Sequence, residues 1–126
     1  MAFFLWLHFA VRSWAIGADI SGGVCNDDGP FGVLVPQWLL VGIGLAALVF
    51  VAAHGRKAKL FFLQWPWLLI LSGGLGNVLE RLSFGCIMDY IALPPFPVFN
   101  VADILLTVGA IGIFLGWRWN AKKSHE

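Results

Sequence analysis

Charge is what this chain has least of. Only 12% of its 126 residues are Asp, Glu, Lys or Arg, and the net charge is +1. A balance so close to neutral excludes the strong positive field that nucleic-acid binding needs. No glycine-rich phosphate loop is present, and the three histidines and two cysteines show no metal-ligand spacing. Repeats, linkers and low-complexity stretches are also lacking, so residues 1–126 read as a single domain. What is present instead is apolar: 60% hydrophobic residues, seven Trp and eleven Phe. A soluble domain of this size cannot hide that much apolar surface, and a bilayer is its natural solvent.

Four apolar segments stand out, over 1–18, 33–53, 60–79 and 98–117. About 20 residues of helix cross a hydrocarbon core of roughly 30 Å. The second to fourth segments meet that length, and the first is shorter and carries His8 and Arg12. The first is expected to be a retained helix and not a cleaved signal, because its start has no basic residue and its Arg falls mid-segment. The fold class is therefore an all-α membrane protein with four transmembrane helices. Arg56, Lys57, Lys59, Arg118, Lys122 and Lys123 fall on one side of that arrangement. The positive-inside rule makes that side, and both termini, cytoplasmic. The loops 19–32 and 80–97 then face outward. Tryptophans near the segment ends suit the interface, and glycines along the segments suit close helix packing.

The polar residues of this greasy chain are concentrated between 73 and 103. Asn77 and Arg81 are four apart at the outer end of segment three, on one face if the helix continues that far. Asn100 and Asp103 are three apart at the outer start of segment four. Asp89 lies between, followed by a proline-rich run, 93–97, expected to be extended. Polar groups at membrane depth mark functional sites. Two crowded carboxylates share a proton, so one acts as base toward water and the other as acid toward a carbonyl oxygen. Arg81 could bind a substrate carbonyl or a lipid phosphate, and Asn77 and Asn100 could bind a peptide backbone. The plainer roles are that Asp103 caps helix four and that Asp89 is a solvated loop acid paired with Arg81. Glu80 is expected to point away from the cluster, toward water or headgroups, and Asp27 and Asp28 to be solvated. Cys25 and Cys86 fall on the outward side, where either a disulfide or two separate thiols would be compatible with the sequence.

Gly76-Asn77, Glu80-Arg81, Gly85, Met88-Asp89-Tyr90-Ile91 and Phe96-Pro97-Val98-Phe99-Asn100-Val101-Ala102-Asp103 resemble the signature of the signal peptidase II family, the bacterial lipoprotein signal peptidases. The resemblance is densest over 73–107. Asn26, Phe31 and Gly32 resemble a further family box, in which Asp28, Gly29 and Pro30 replace Gly-Ala-Ala. His8 and Arg12 stand where the family usually has Asp and Lys, and the outer loop between Asp89 and Asn100 is shorter. The resemblance implies a four-span aspartic endopeptidase with a small extracytoplasmic β-structure. Asp89 and Asp103 would be catalytic, and Asn26, Asn77, Arg81 and Asn100 would be substrate-binding. It implies no metal or other cofactor, and a monomer in the bacterial inner membrane with its site on the extracytoplasmic side. Its partners would be membrane lipids and a diacylglyceryl-modified prolipoprotein, cut just before the lipidated Cys. The lost helix-one acid and altered Asn26 box leave open a catalytically inactive relative that binds lipid or lipopeptide. A small transport or proton-relay protein using the same acids is the other alternative.

Overall fold

The structure, a computed structural model, describes residues 1–18, 23–28, 33–55 and 61–125. Four helices dominate it: α1 (Ala2–Gly17), α2 (Gln37–Gly55), α3 (Phe61–Phe84) and α4 (Val101–Lys123). Two short strands, β1 (Val24–Asn26) and β2 (Ile87–Asp89), pair antiparallel between the helices. The expected β-structure is present, and the fold is mostly helical. Arg56, Lys57 and Lys59 lie outside the described residues, as do Gly29, Pro30, Phe31 and Gly32.

Local chemistry sets the helix ends. α2 begins at Gln37, four residues after the expected start of its apolar run. Pro36 lacks an N–H and restrains the residue before it to extended backbone. The Pro36 carbonyl then accepts from the N–H groups of Leu39 and Leu40, at 3.0 and 3.2 Å. α3 does continue through Arg81 and stops at Phe84. Gly85 follows with φ +74°, the left-handed backbone that favours glycine, and donates its N–H to the Arg81 carbonyl at 3.0 Å. This stop turns the chain directly into β2. α4 runs past the expected Trp117 to Lys123, and its last turn carries Lys122 and Lys123, favourable at a helix C-terminus.

α3 is the central element. It packs most extensively on α4 and also contacts α2 and α1. Glycines permit the close approach: a Cβ on Gly109 would lie 2.7 Å from both Ile70 Cγ1 and the Pro66 carbonyl. α2 and α4 are long and apolar enough to cross a membrane, and α1 is a shorter apolar helix. α2 has no buried residue at all, and Trp38, Val49, Phe114 and Trp119 are among many large apolar side chains left exposed. The interior reverses that pattern. The largest fully buried side chains are His8, Glu80, Asn100 and Ser72. Large apolar side chains turned outward, with polar groups buried alongside Leu69, Val78 and Leu105, are what a lipid solvent favours.

The run 93–97 is not extended as expected. Phe96 N–H donates to the Leu93 carbonyl at 3.0 Å, and Ile91 and Phe99 exchange backbone hydrogen bonds of 2.8 and 3.0 Å. These pairings draw both ends of the run together, so it forms a closed loop beside the start of α4.

Candidate active site

The register of the two strands brings Asn26 and Asp89 onto the same short ribbon. Val24 pairs with Asp89, Cys25 with Met88 and Asn26 with Ile87. A disulfide joins Cys25 to Cys86, with the Cα atoms 5.6 Å apart, and settles the pairing that the sequence left open. Asn26 Nδ2 donates to Asp89 Oδ2 at 3.3 Å. Asn26 also orders its own turn, accepting the Asp28 N–H at Oδ1 (3.1 Å). Asp89 is not the solvated loop acid of the plainer reading. It is 7% exposed and lies in β2. Burial pushes its carboxyl up to about 6, the Asn26 hydrogen bond pulls it down, and the charges of Asp103 and Glu80 add to the rise while Arg81 opposes it.

Asp103 reaches the same region from α4, and it does cap that helix. Asn100 Oδ1 accepts the Asp103 N–H at 3.0 Å, and Asp103 Oδ2 accepts the Asn100 N–H at 3.1 Å. This reciprocal box satisfies two orphan amides of the first turn. It also fixes the Asp103 carboxylate. Asn77 extends the network from α3: its Oδ1 accepts from Asn100 Nδ2 at 3.1 Å, and its Nδ2 lies 3.5 Å from Asp103 Oδ1. Tyr90, next to Asp89, accepts the Val101 N–H at its hydroxyl (3.4 Å) and so ties β2 to the start of α4.

Asn26, Asn77, Arg81, Asp89 and Asp103 all line one cavity of about 790 Å³. Leu93, Phe96, Val98 and Ile104 supply part of its apolar wall. A few convergent polar groups in an otherwise apolar concavity are the usual composition of a ligand site. Five of the six expected site residues therefore meet. The sixth, Asn100, is fully buried and does not line the cavity; it holds Asp103 and Asn77 from behind. Among the described residues, no group of three or more His, Cys, Asp or Glu could hold a metal ion.

Three residues depart from expectation. Glu80 does not face water: it is fully buried, accepts from Arg12 Nε at Oε1, and has His8 Nε2 3.3 Å from its Oε2. Arg12 of α1 supplies the cationic partner that makes burial of the acid tolerable. Asp28 is half-buried and lines the cavity, although Asp27 is exposed as expected. Arg81 is already engaged, donating to Gln37 Oε1 at 3.0 Å and to the Asp28 carbonyl at 2.9 Å. Gln37, which also donates to the Asp27 carbonyl, was not among the expected residues. Its signal was available: it is the polar side chain that opens a helix apolar from there to His54 in its last turn.

The Signal peptidase (SPase) II family pattern matches residues 7–118. A lipoprotein signal peptidase of Sinorhizobium fredii is 40% identical over 95 residues, covering 71% of this chain and 57% of that protein. One from Methylorubrum extorquens is 32% identical over 130 residues, covering 88% of this chain and 74% of that protein. This chain thus spans little more than half of the first relative's length. A bacterial membrane enzyme solved by the in meso method at 2.3 Å superimposes with a TM-score of 0.86 at 20% identity, over 97% of this chain and 87% of that one. A second, solved at 1.9 Å, gives 0.79 at 23% identity over 92% and 88%. At those identities the structures speak to the fold alone, and the fold agrees with what the sequence pattern matches over most of the chain. The chain belongs to the signal peptidase II family.

Proposed function

We propose that this chain is a membrane aspartic endopeptidase that removes signal peptides from diacylglyceryl-modified prolipoproteins, cutting just before the lipidated cysteine. The observation that carries this reading is the convergence of Asp89 and Asp103, from different elements, on one cavity with Asn26, Asn77 and Arg81. Family membership supplies the substrate class.

The chemistry needs only the two carboxylates and a water. One ionised aspartate takes a proton from water as its oxygen adds to the scissile carbonyl carbon, while the protonated partner gives its proton to the carbonyl oxygen. The partner, now ionised, then takes a proton from the tetrahedral intermediate. The first aspartate gives its proton to the amide nitrogen, and the C–N bond breaks. The pair titrates as a unit and contributes roughly 10²–10⁴-fold in rate as acid and base. Asn26 and Asn77 present amide groups to the substrate backbone, and Arg81 keeps positive charge at the cavity edge. Asn100 serves substrate binding through the two residues it holds.

All four helices serve as spans in this reading, with both termini cytoplasmic and the cavity opening on the extracytoplasmic side of the bacterial inner membrane. The 23 residues of α4 are long enough, at roughly 1.5 Å per residue, to cross the hydrocarbon core. Arg118, Lys122 and Lys123 lie toward one end of α4, and Asp103 lies at the other. The Cys25–Cys86 disulfide beside the cavity suits an oxidising compartment. The enzyme works as a monomer among membrane lipids, and its apolar outer faces receive the acyl chains of the substrate.

Purified protein incubated with a diacylglyceryl-modified precursor should release the signal peptide. Asp89→Asn and Asp103→Asn should each abolish release while leaving the protein folded. Full cleavage by either variant would overturn the aspartic reading.

A further inference from the structure

The polar groups that the proposed chemistry leaves unused gather between α1 and α3. Glu80 and His8 are fully buried, and the Arg12 side chain is 11% exposed. Arg12 Nε donates to Glu80 Oε1, and His8 Nε2 lies 3.3 Å from Glu80 Oε2. His8 and Arg12 are four apart and so share one face of α1. The Arg12 guanidinium also lies over the Phe84 ring, 3.9 Å from its centroid, which extends the cluster to the last turn of α3. The His8 ring packs on Gly76, where a Cβ would sit 3.0 Å from His8 Cδ2.

These contacts fall at the level of the site. Gly76, beneath His8, precedes Asn77. Glu80 is three residues after Asn77 and immediately before Arg81. Any rotation of α3 that took Glu80 to water would carry both of those residues out of place. α1, which packs on α3, opposes such a rotation through the Arg12–Glu80 charge pair.

We propose that Glu80, held from α1 by its ion pair with Arg12, is a positioning residue for the aspartate site. It fixes the outer turns of α3 where Asn77 meets Asn100 and Asp103, and where Arg81 meets Gln37 and Asp28. The inference rests on the endopeptidase reading for its effect on cleavage. It also has an electrostatic consequence that does not. Asp89 is faced by Asn26 from β1, by Asp103 from α4, and by Glu80 and Arg81 from α3, while Asp28 lines the same cavity. The Glu80 charge pushes the Asp89 carboxyl up, so removing that charge lets it titrate lower.

The test uses the full chain in detergent or nanodiscs. The ¹³C carboxyl titration of Asp89, assigned by its loss in Asp89→Asn, is followed alongside thermal unfolding and precursor cleavage. In Glu80→Gln the Asp89 midpoint should fall. Its kcat should fall about tenfold while KM changes less than about threefold, because alignment is lost and not binding. Arg12→Lys, which keeps the charge, should retain most of the activity, and Arg12→Met should lose it as Glu80→Gln does. These two variants decide the matter if Glu80→Gln does not fold. A folded Glu80→Gln with an unchanged Asp89 midpoint and a kcat within about twofold of wild type overturns the inference. Equal losses in Arg12→Lys and Arg12→Met overturn it as well. A wild type that never cleaves lipidated precursor counts against the endopeptidase reading alone, and the Asp89 titration still decides this one.

Discussion

Asp103 and Asn100 hold each other across the first turn of α4, and the carboxylate that closes the helix is the one presented to the cavity. Capping the helix therefore does not take the Asp103 carboxylate away from the cavity. Asn100→Ala removes the acceptor for the Asp103 N–H and the donor to Asn77. The variant should lose about 1–2 kcal/mol of stability. Its kcat should fall at least about tenfold, because the Asp103 carboxylate is no longer oriented. Thermal unfolding and cleavage assays measure both. A variant with lowered stability but wild-type kcat would show that the box serves only the helix.

On the proposed mechanism, the titration of Asp89 sets the pH range of cleavage. Its folded-state value is raised from 3.8 to about 6, first by burial. If the active dyad holds one proton, that proton is lost as pH rises through this value. The kcat/KM profile should therefore show an alkaline limb near pH 6 that Asp89 governs. A profile flat from pH 5 to pH 8 would contradict the shared-proton mechanism.

The same shift makes a prediction for stability. An acid with a raised folded value binds protons more tightly in the folded state. Its contribution favours folding below the unfolded value near 4 and is lost as pH rises through about 6. Above that, the buried charge is a cost. Asp89→Asn should thus be about 3 kcal/mol more stable than wild type at pH 7–8 and nearly equal to it at pH 4, while failing to cleave. Chemical denaturation at the two pH values checks the sign. A variant less stable than wild type at pH 8 would mean that neighbouring groups already offset the cost of the charge.

The disulfide carries Asn26 to Asp89. Cys25 and Cys86 are 61 positions apart in sequence, and Cys25 lies in the strand that ends at Asn26. Replacing both cysteines by serine should cost about 3–4 kcal/mol through a less restrained unfolded chain. Activity should fall too, because the two-strand ribbon is too short to hold its register alone. Comparing reduced wild type with the double variant measures this: both should show the same loss, and full activity in either would sink the idea.

Asn77, Arg81, Asp89 and Asp103 were legible because few polar groups occur in this chain and these lie close in sequence between 73 and 103, whereas Asn26 lies outside that stretch and came from the family resemblance. Helix ends were legible where a local device marks them. Asn100 and Asp103 carry the spacing of a capping box, and Gly85 permits the stop after α3. The partners that cross between helices were not. Nothing local to Glu80 says that it turns inward, because its partners Arg12 and His8 are about 70 residues away and become adjacent only when α1 packs on α3. The loop at 93–97 misled for a related reason. Its prolines favour extended backbone one residue at a time, but the pairing of Ile91 with Phe99 bends the run as a whole.

Gly73 tests whether the spacing of α3 and α4 is part of the site. A Cβ there would lie 2.6 Å from the Ala102 carbonyl oxygen, 3.0 Å from Leu106 Cγ and 3.1 Å from Leu105 Cβ. The nearest of these is backbone and cannot rotate away as a flexible side chain would. Ala102 immediately precedes Asp103, so Gly73→Ala must push the first turn of α4 away from Asn77. Overpacking of this kind costs about 1–3 kcal/mol. The displacement should lower kcat about tenfold, since acid and base must both reach one water. Gly42 is the control. A Cβ there meets nothing within 4 Å, and alanine is better than glycine in a helix by up to about 1 kcal/mol. Gly42→Ala should therefore leave cleavage unchanged and stability equal or higher. Wild-type cleavage by Gly73→Ala would mean that the dyad tolerates a wider gap between the two helices than its hydrogen-bond network suggests.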